Sequence, residues 1–428
     1  MTKTTVEQIN VYVWDQFVGS VALDPQLGYY VFAYNKTFAK SGIELSPLHM
    51  PLNNIETPYI FTHLPELTFK RLPSMLADAL PDDFGNALID RYMASKGITR
   101  SQITTLDRLA YMGNRAMGAL EFKPAHGPNT HPLIAVEMNA LVNEARNIIN
   151  GTLTSQNEIT VSLRNIIDVG TSAGGARAKA VIAWNPISQE VRCGQVENNN
   201  HFEHWLLKFD GMGIDKELGN SQDYGRIEYA YYLMATAAGI TMSKCQLLQE
   251  NNRAHFMTKR FDREASNIKH HVQTLCAMNH LDYKQKATNS YEQFFMTIIE
   301  LNLDRDMIVE AFRRMVFNII ARNCDDHTKN FAFILKKHGS WELAPAYDLT
   351  FAYNPHGDWT YQHLMSVNGK FKDITIQDLL AVADLFNIGE ASLIVSQVRS
   401  AVKEWPSFAS KAGVSQNIIN KIANLHIK

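Results

Sequence analysis

The densest group of chemically reactive side chains lies at residues 323–330, which are Asn-Cys-Asp-Asp-His-Thr-Lys-Asn. The group combines two carboxylates, an imidazole, an ammonium group and two carboxamides. A further acidic residue, Asp348, follows downstream. Protein kinases divide phosphoryl transfer among such residues, with a loop Asp as the base and an Asn and a second Asp as Mg²⁺ ligands. The alternative interpretation is a solvated polar loop, since Asp, Asn and Lys are common between helices and strands.

The neighbouring sequence predicts the elements that would position these side chains. Before the polar segment, apolar residues recur at helical spacing at positions 308, 312, 315, 316 and 319. After it, strand candidates at 331–335 and 341–343 flank the turn-like sequence Lys-Lys-His-Gly-Ser. A hairpin here would bring the polar segment and Asp348 back toward each other.

Length, composition and charge are those of an ordinary folded protein. With 428 residues, 46% of them hydrophobic and 20% charged, the chain is long enough for several domains or for a two-lobed enzyme. The net charge of -2 gives no global basic field for nucleic acid or acidic membranes. The four cysteines form no Cys-x-x-Cys pair, so we expect reduced thiols. Because we find neither a signal-peptide pattern nor an apolar run of membrane-spanning length, we expect a cytoplasmic protein with no membrane partner.

A strand-rich half precedes a mainly helical half. Alternating β-formers at 10–35 predict a small antiparallel sheet with turns at Asp15-Gln16 and near Pro25, and apolar periodicity predicts a helix at 73–96. Further strands are predicted at 159–163, 178–184, 205–209, 245–249 and 254–259, and further helices at 133–150 and 226–237. The segment 124–132 is rich in Pro, Gly, His and Asn and is the best first boundary. The pattern predicts a two-lobed α+β fold with domains at 1–125, 126–262 and 263–428.

Three upstream motifs stand in the order that a kinase requires. The small-residue segment 170–179 can bring backbone N–H groups close to a polyphosphate, although a merely flexible loop fits it as well. Lys208, in an apolar strand candidate, either meets an anion in a cleft, with Glu228 as a candidate partner, or extends to solvent from a sheet edge. The basic segment 258–263 is either an interlobe hinge facing adenine or an ordinary strand end. Each motif is ambiguous alone, but their joint order favours a kinase.

Together these motifs resemble the HipA family of bacterial toxin–antitoxin serine/threonine kinases, and the resemblance runs over nearly the whole chain. The most specific matches are residues 325–330, against the family pattern Asp-x-His-x-Lys-Asn, and Pro-Ala-Tyr-Asp at 345–348. The segments 172–179, 206–208 and 260–263 agree in order and spacing, and 80–83 and 113–118 resemble the family's first subdomain. The resemblance implies a two-lobed, protein-kinase-like (HipA-like) α+β fold with an extra N-terminal subdomain and a mainly helical C-terminal lobe.

The resemblance also implies roles for individual residues. Asp325 would be the catalytic base, Asn330 and Asp348 would hold Mg²⁺, and Lys208 would contact the α- and β-phosphates of ATP. The nucleotide site would further include Gly174, Gly175, Ala176, Arg177, Ala178, Lys179, Lys259, Arg260, Phe261, His327, Lys329 and Tyr347. Ser172 falls where family members autophosphorylate, and a phosphate there would add about two negative charges and weaken ATP binding. Asp326 stands where a small residue is frequent in the family, so it is a second acidic candidate for base or metal ligand.

The leading hypothesis is an ATP- and Mg²⁺-dependent serine/threonine protein kinase that acts as the toxin of a type II toxin–antitoxin system. Its substrate would be a translation-related protein such as an aminoacyl-tRNA synthetase. Its partner would be a small helix-turn-helix, HipB-like antitoxin, through which alone it would reach operator DNA. One alternative is a phosphotransferase on the same fold with a small-molecule or lipid acceptor, and the other is a non-catalytic co-repressor partner of an antitoxin. The complete set of kinase residues favours an active enzyme.

Overall fold

The structure, a computed structural model, describes residues 6–81, 83–127, 179–194, 201–210, 223–250, 253–264 and 268–427. The chain divides into two compact units. The first unit comprises Met1–Met212, Lys259–Gln273 and Ile334–Ser340, and the second comprises Gly213–Thr258, Thr274–Phe333 and Trp341–Lys428. No helix within the described ranges has the length and apolar character needed to span a membrane.

Strands occur along most of the described chain, and most of the longer ones lie in its first half. They are β1 (Gln8–Val13), β2 (Gln16–Asp24), β3 (Tyr29–Tyr34), β4 (Leu120–Lys123), β5 (Lys179–Trp184), β6 (Val191–Cys193), β7 (Glu203–Lys208), β8 (Cys245–Glu250), β9 (Arg253–Lys259), β10 (His271–Thr274), β11 (Asn289–Ser290), β12 (Ala332–Leu335), β13 (Trp341–Leu343) and β14 (Met365–Ser366).

Helices dominate the C-terminal part of the second unit. They are α1 (Lys36–Ala39), α2 (Glu66–Phe69), α3 (Ser74–Asp78), α4 (Asp83–Ser95), α5 (Thr105–Met112), α6 (Tyr224–Ala237), α7 (Leu275–Met278), α8 (Tyr291–Glu300), α9 (Arg305–Ile320), α10 (Ile376–Leu385), α11 (Ala391–Lys403), α12 (Trp405–Ala412) and α13 (Gln416–Ala423). Short 3₁₀ turns occur at Leu52–Asn54, Arg100–Gln102 and Thr328–Asn330.

The first unit begins with a four-stranded antiparallel sheet in the order β3-β2-β1-β4. Alternating residues of β1, namely Ile9, Val11 and Val13, are fully buried on one face. The turn between β1 and β2 consists of Trp14 and Asp15, which both have positive φ, as the favoured two-residue hairpin turns require. The predicted N-terminal sheet is therefore present, with its first turn one residue earlier than predicted.

The first unit also contains the antiparallel strands β6, β5 and β7, with β5 between the other two. All six residues of β5 are buried, so this strand is central to its packing. The short strand β6 was not predicted, because three residues carry too little alternation to be recognised.

The second unit is built around α9. Its apolar residues from Ala311 to Ile320 are buried, and the helix contacts α8 and α11. Tyr231 on α6 donates a hydrogen bond of 2.6 Å to the carbonyl of Ala321, directly after α9, and its ring contacts Trp405 of α12. These contacts hold the C-terminal end of α9, from which the polar segment 323–330 leaves.

Most predicted elements are present, and the α+β fold class is confirmed. The single helix predicted at 73–96 is wrong: the segment forms α3 and α4 with a break between them. The break contains Pro81, which lacks an N–H and disfavours a helical conformation of the residue before it. The predicted helix at 133–150 and strand at 159–163 lie outside the described residues, and the division into three domains stays a prediction.

Candidate active site

The polar segment after α9 shows alternating burial. Cys324, Asp326 and Thr328 are buried, whereas Asp325 and His327 are partly exposed. Burial with a period of two residues is typical of an extended backbone, whose successive side chains point to opposite sides. The spacing Asp-x-His therefore puts the side chains of Asp325 and His327 on one outward-facing side of the loop.

The inward-facing Asp326 is held by three hydrogen-bond donors from elsewhere in the second unit. Its Oδ2 accepts from the Tyr291 hydroxyl and from His363 Nδ1, each at 2.8 Å. Its Oδ1 accepts from the backbone N–H of Leu364 at 2.8 Å, and the side chain is fully buried. Of the two neighbouring aspartates, Asp326 thus anchors the loop and Asp325 is presented outward.

His363 and Asp326 form a buried ion pair. Burial alone would lower the pKa of His363, but the carboxylate of Asp326 outweighs burial and raises that pKa to about 10. The imidazole is therefore a cation at neutral pH, and its Nε2 lies 3.6 Å from the sulfur of Cys324. Charge-assisted hydrogen bonds are short and directional, so the pair orients both of its members.

A polar network continues from Asp326 toward Asp348. Asn318 donates to the Tyr291 hydroxyl at 3.0 Å, and Asn323 donates to Asn318 Oδ1 at 3.0 Å. The same Nδ2 of Asn323 lies 3.5 Å from the backbone carbonyl of Asp348. Burial, reinforced by the charge of Asp326, raises the pKa of Tyr291, so this hydroxyl keeps its proton and can donate. The polar loop and the turn at Asp348 are thus connected through buried side chains.

Asp325 and Asn330 are joined within the loop. The Nδ2 of Asn330 donates to the backbone carbonyl of Asp325 at 2.7 Å. This bond engages the amide nitrogen, so the carboxamide oxygen is the atom of Asn330 suited to a cation. The side chain of Asp325 is 41% exposed, and His327 Nε2 lies 3.9 Å from its Oδ1. Asp325 is therefore fixed through its backbone and accessible through its carboxylate.

The turn that carries Asp348 is tied to the loop and to the segment that follows α6. Asp348 has a φ of 54°, in the left-handed region that Asp tolerates better than most residues. The hydroxyl of Tyr347 donates to the backbone carbonyl of Lys329 at 2.7 Å. The N–H of Ala346 donates to the carbonyl of Thr241 at 2.9 Å. The residues on both sides of the hairpin are therefore close together, as the sequence predicted.

Tyr283 is a residue beside the loop that sequence reasoning missed. Its ring lies 5.3 Å from the ring of His327, and the ammonium groups of Lys329 and Lys284 lie 5.2 and 5.7 Å from its centroid. Tyr283 thus forms an aromatic wall next to the outward side of the loop. The surrounding segment has no helical or strand periodicity, so the sequence contained no signal for this placement.

Two lysines of the first unit lie opposite each other on neighbouring strands. Lys179 of β5 and Lys208 of β7 are directly paired in the antiparallel register, so their side chains project to the same face. Lys179 is buried and Lys208 is partly exposed. Like charges directly opposite on a sheet repel, so anions are favoured beside them. Glu228 is buried on α6 in the second unit, and its pairing with Lys208 stays a prediction.

The predicted hinge residues are anchored inside the first unit. Lys259 pairs with Glu203, with 2.7 Å between Nζ and Oε1, and the N–H of Arg260 donates to the carbonyl of His204 at 2.9 Å. The guanidinium of Arg260 is buried and bound to Asp262. Any contact of Arg260 with a nucleotide would therefore involve its backbone and not its charge.

Asp262 is the centre of a buried ionic cluster. It accepts hydrogen bonds from the guanidinium groups of Arg260 and Arg263 and from the N–H of Gly118, at 2.6–2.8 Å. Arg263 also donates to the carbonyls of Gly118 and Ala116. Burial would raise the pKa of Asp262, but the two arginines hold it well below its usual range. The cluster fixes the hinge segment to the end of the N-terminal subdomain.

The Gly-rich loop lies outside the described residues. This applies to Ser172, Gly174, Gly175, Ala176, Arg177 and Ala178. Their predicted roles in phosphate binding and autophosphorylation stay predictions.

The oxygen donors at the loop fit Mg²⁺. Asp348 contributes a carboxylate and Asn330 a carboxamide oxygen, and Mg²⁺ is usually bound by one or two carboxylates together with phosphate oxygens and water. In the described parts of the chain, no group of three or more His, Cys, Asp or Glu side chains is arranged to hold a metal ion.

Comparison with known families identifies the class of protein. The family model described as the HipA-like C-terminal domain matches residues 171–421, and the one described as the HipA N-terminal domain matches residues 9–123. The chain belongs to the HipA family. The family resemblance predicted from the sequence is therefore confirmed.

One solved structure gives the same fold. The chain is similar to one from the toxin–antitoxin complex of HipA, HipB and operator DNA from Shewanella oneidensis MR-1, with a TM-score of 0.65 and 14% identity over 97% of this chain and 94% of that one. A more distant likeness, with a TM-score of 0.33 and 12% identity, covers 52% of this chain and 90% of the proinflammatory kinase CtkA from Helicobacter pylori. No significant match was found among curated proteins. The HipA-like α+β fold is confirmed by the first of these structures.

Proposed function

We propose that this protein is an ATP- and Mg²⁺-dependent serine/threonine protein kinase and the toxin of a type II toxin–antitoxin pair. The observation that carries the proposal is the joining of the polar loop to the turn at Asp348. Tyr347 binds the Lys329 carbonyl at 2.7 Å, and Asn323 reaches the Asp348 carbonyl. Kinase chemistry needs this proximity, because the base and the metal ligands act on the two ends of one phosphoryl transfer.

In the proposed reaction, Asp325 orients the acceptor hydroxyl and takes its proton. Its carboxylate is the exposed member of the aspartate pair, while its backbone is held by Asn330 at 2.7 Å. A base needs both properties, since it must reach the substrate and keep its direction. Lys329, on the same loop, contributes positive charge near the transferred group.

Asn330 and Asp348 would hold Mg²⁺ against the phosphates of ATP. When bound, Mg²⁺ neutralises the charge that develops on the phosphate oxygens. Lys179 and Lys208 support the nucleotide part of the proposal, because their shared face favours a polyanion. The segment at Lys259–Phe261 would offer backbone groups to the adenine edge.

Transfer of label from ATP tests the proposal. The purified protein is incubated with Mg²⁺ and γ-labelled ATP beside Asp325→Asn, Asp348→Asn and the control Asp384→Asn, which changes an exposed aspartate on α10. We expect transfer by the wild type and the control, and a loss of about a hundredfold or more in the two site variants. Transfer that survives Asp325→Asn would refute the assignment of the base.

The destination of the label separates the kinds of acceptor. Label on protein, including Ser172 by mass spectrometry, agrees with a protein kinase that autophosphorylates. Label found only on a metabolite or lipid would support a different phosphotransferase on the same fold. The purified wild type could carry no phosphate, bind no ATP and transfer no phosphate. That result would refute the proposed kinase activity and favour a co-repressor.

The partner part of the proposal rests on the similar structure, in which HipA is bound with HipB and operator DNA. We propose a small helix-turn-helix antitoxin as the partner of this chain, and a translation-related protein as its acceptor. Co-expression with a helix-turn-helix protein encoded beside it, followed by size-exclusion chromatography with and without operator DNA, tests the partner. DNA binding by this chain alone would contradict the proposal that it reaches DNA through the antitoxin.

A further inference from the structure

The buried side of the polar loop is held by hydrogen bonds that the chemistry proposed for Asp325, on the outward side, does not itself require. Asp326 accepts hydrogen bonds from α8 through Tyr291 and from the 363–364 segment through His363 and Leu364. None of these three donors faces the outward side on which Asp325 lies. Three bonds to one buried carboxylate leave it little freedom of rotation.

The orientation of Asp325 follows from that of Asp326. In an extended backbone, a side chain fixed inward at one position directs its neighbours outward. A further bond from Asn330 holds the carbonyl of Asp325 itself at 2.7 Å. The peptide between the two aspartates is thus restrained from the inner side and from the C-terminal end of the loop.

We propose that the His363–Asp326 pair is a positioning device that aims the carboxylate of Asp325 at the acceptor hydroxyl. The inference rests on the proposed kinase function for its catalytic consequence, but its structural part does not. His363 and Asp326 touch neither substrate nor metal in this scheme and act through the backbone of Asp325. A misplaced base loses rate while nucleotide binding is maintained.

The surroundings of His363 determine its pH behaviour. Its ring faces the carboxylate of Asp326 and the thiol of Cys324, with Tyr291 beyond the carboxylate, and its backbone N–H donates to the carbonyl of Phe371. Asp326 is the anion bonded to the ring, and it keeps the imidazole protonated through neutral pH. The device therefore operates in its ion-paired form wherever the enzyme would work.

Two substitutions at His363 separate the hydrogen bond from the bulk of the ring. His363→Leu removes the donor to Asp326, whereas His363→Asn keeps an N–H near the position of Nδ1. Asp326→Asn tests the other partner, and His356→Leu, at an exposed histidine, is the matched control.

We expect the kcat of phosphate transfer to fall about tenfold or more in His363→Leu and Asp326→Asn, as for other residues that orient a reacting group. The Kd for Mg²⁺-ATP should change much less, and His363→Asn should recover part of the loss. An equal effect of His363→Leu and His363→Asn on kcat, or a loss confined to ATP binding, would overturn the proposal.

Hydrogen exchange of residues 323–330 gives a readout independent of catalysis. Exchange should accelerate in His363→Leu and Asp326→Asn but stay close to wild type in His356→Leu. If the wild type transfers no phosphate, the kinase proposal fails while exchange still decides the positioning claim. Unchanged exchange in folded His363→Leu and Asp326→Asn would refute the positioning claim whatever the activity, and if His363→Leu does not fold, Asp326→Asn carries the test.

Discussion

Replacing Asp262 by Ala should destabilise the first unit far more than the loss of an exposed ion pair. Asp262 is fully buried and accepts four hydrogen bonds, three of them from Arg260 and Arg263. Both guanidinium groups are at most 5% exposed, so without the carboxylate two cations remain buried together. Removing one partner from a buried ionic cluster typically costs about 3–5 kcal/mol of unfolding free energy.

The pH dependence of this effect has a definite sign. The pKa of Asp262 is depressed below its ordinary 3.8, because the nearby arginines outweigh the cost of burial. A carboxylate whose pKa is lowered by folding stabilises the folded protein at pH values above its ordinary pKa. This stabilisation is lost as the pH falls through the folded-state pKa. The difference between wild type and Asp262→Ala should therefore be full at neutral pH and shrink below about pH 4.

Urea unfolding followed by hydrogen exchange measures the effect where it arises. Peptides from residues 116–122 and 259–264 should lose protection at lower urea in Asp262→Ala. The control is Glu56→Ala, which removes an ion pair with Lys36 whose side chains are 73% and 76% exposed. This control should cost under about 1 kcal/mol. A loss in Asp262→Ala no larger than in the control would refute the role given to the buried cluster.

Three further changes test other parts of the fold. Gly118→Ala should cost about 2–4 kcal/mol, because φ is 80° and a Cβ would lie 2.9 Å from the Val272 nitrogen; thermal unfolding measures this loss. Tyr231→Phe should cost about 1–3 kcal/mol in urea unfolding, since the buried carbonyl of Ala321 loses its donor. The folded-state pKa of His363 is raised to about 10, so its ion pair with Asp326 stabilises the fold fully only below about pH 6.5. The unfolding free energy of the wild type should therefore decrease between about pH 6.5 and 10. His363→Asn should flatten this slope when denaturant unfolding is measured over a series of pH values.

The elements around the site could be predicted because their signals are local. The apolar face of α9 repeats at helical spacing, and the hairpin of β12 and β13 combines two short apolar runs with a turn sequence. The single helix predicted at 73–96 is wrong for the same reason, because the apolar periodicity continues across Pro81, where the chain breaks between α3 and α4. Local patterns thus located the loop and Asp348 but not every element boundary.

The inner partners of the loop could not be predicted, because they are distant in sequence. Tyr291, His363 and Leu364 lie 35–38 residues from Asp326 and carry no motif of their own. Arg263 and Gly118 do lie in recognisable motifs, but neither motif predicts their contact across 145 residues. Sequence pattern describes neighbours along the chain, whereas buried polar groups find partners through the packing of the whole unit.

The alternation of burial along the loop distinguishes Asp325 from Asp326, which their residue type alone cannot do. Both are aspartates, and either could serve as base or metal ligand by chemistry alone. The burial pattern from Cys324 to Thr328 has a period of two, so neighbouring carboxylates must face opposite sides. Three donors hold Asp326 on the inside, which supports the proposal that Asp325 is the aspartate that meets a substrate. Asp326 then has a structural role. For Asp326 to serve as the base instead, the loop would have to turn its buried side outward.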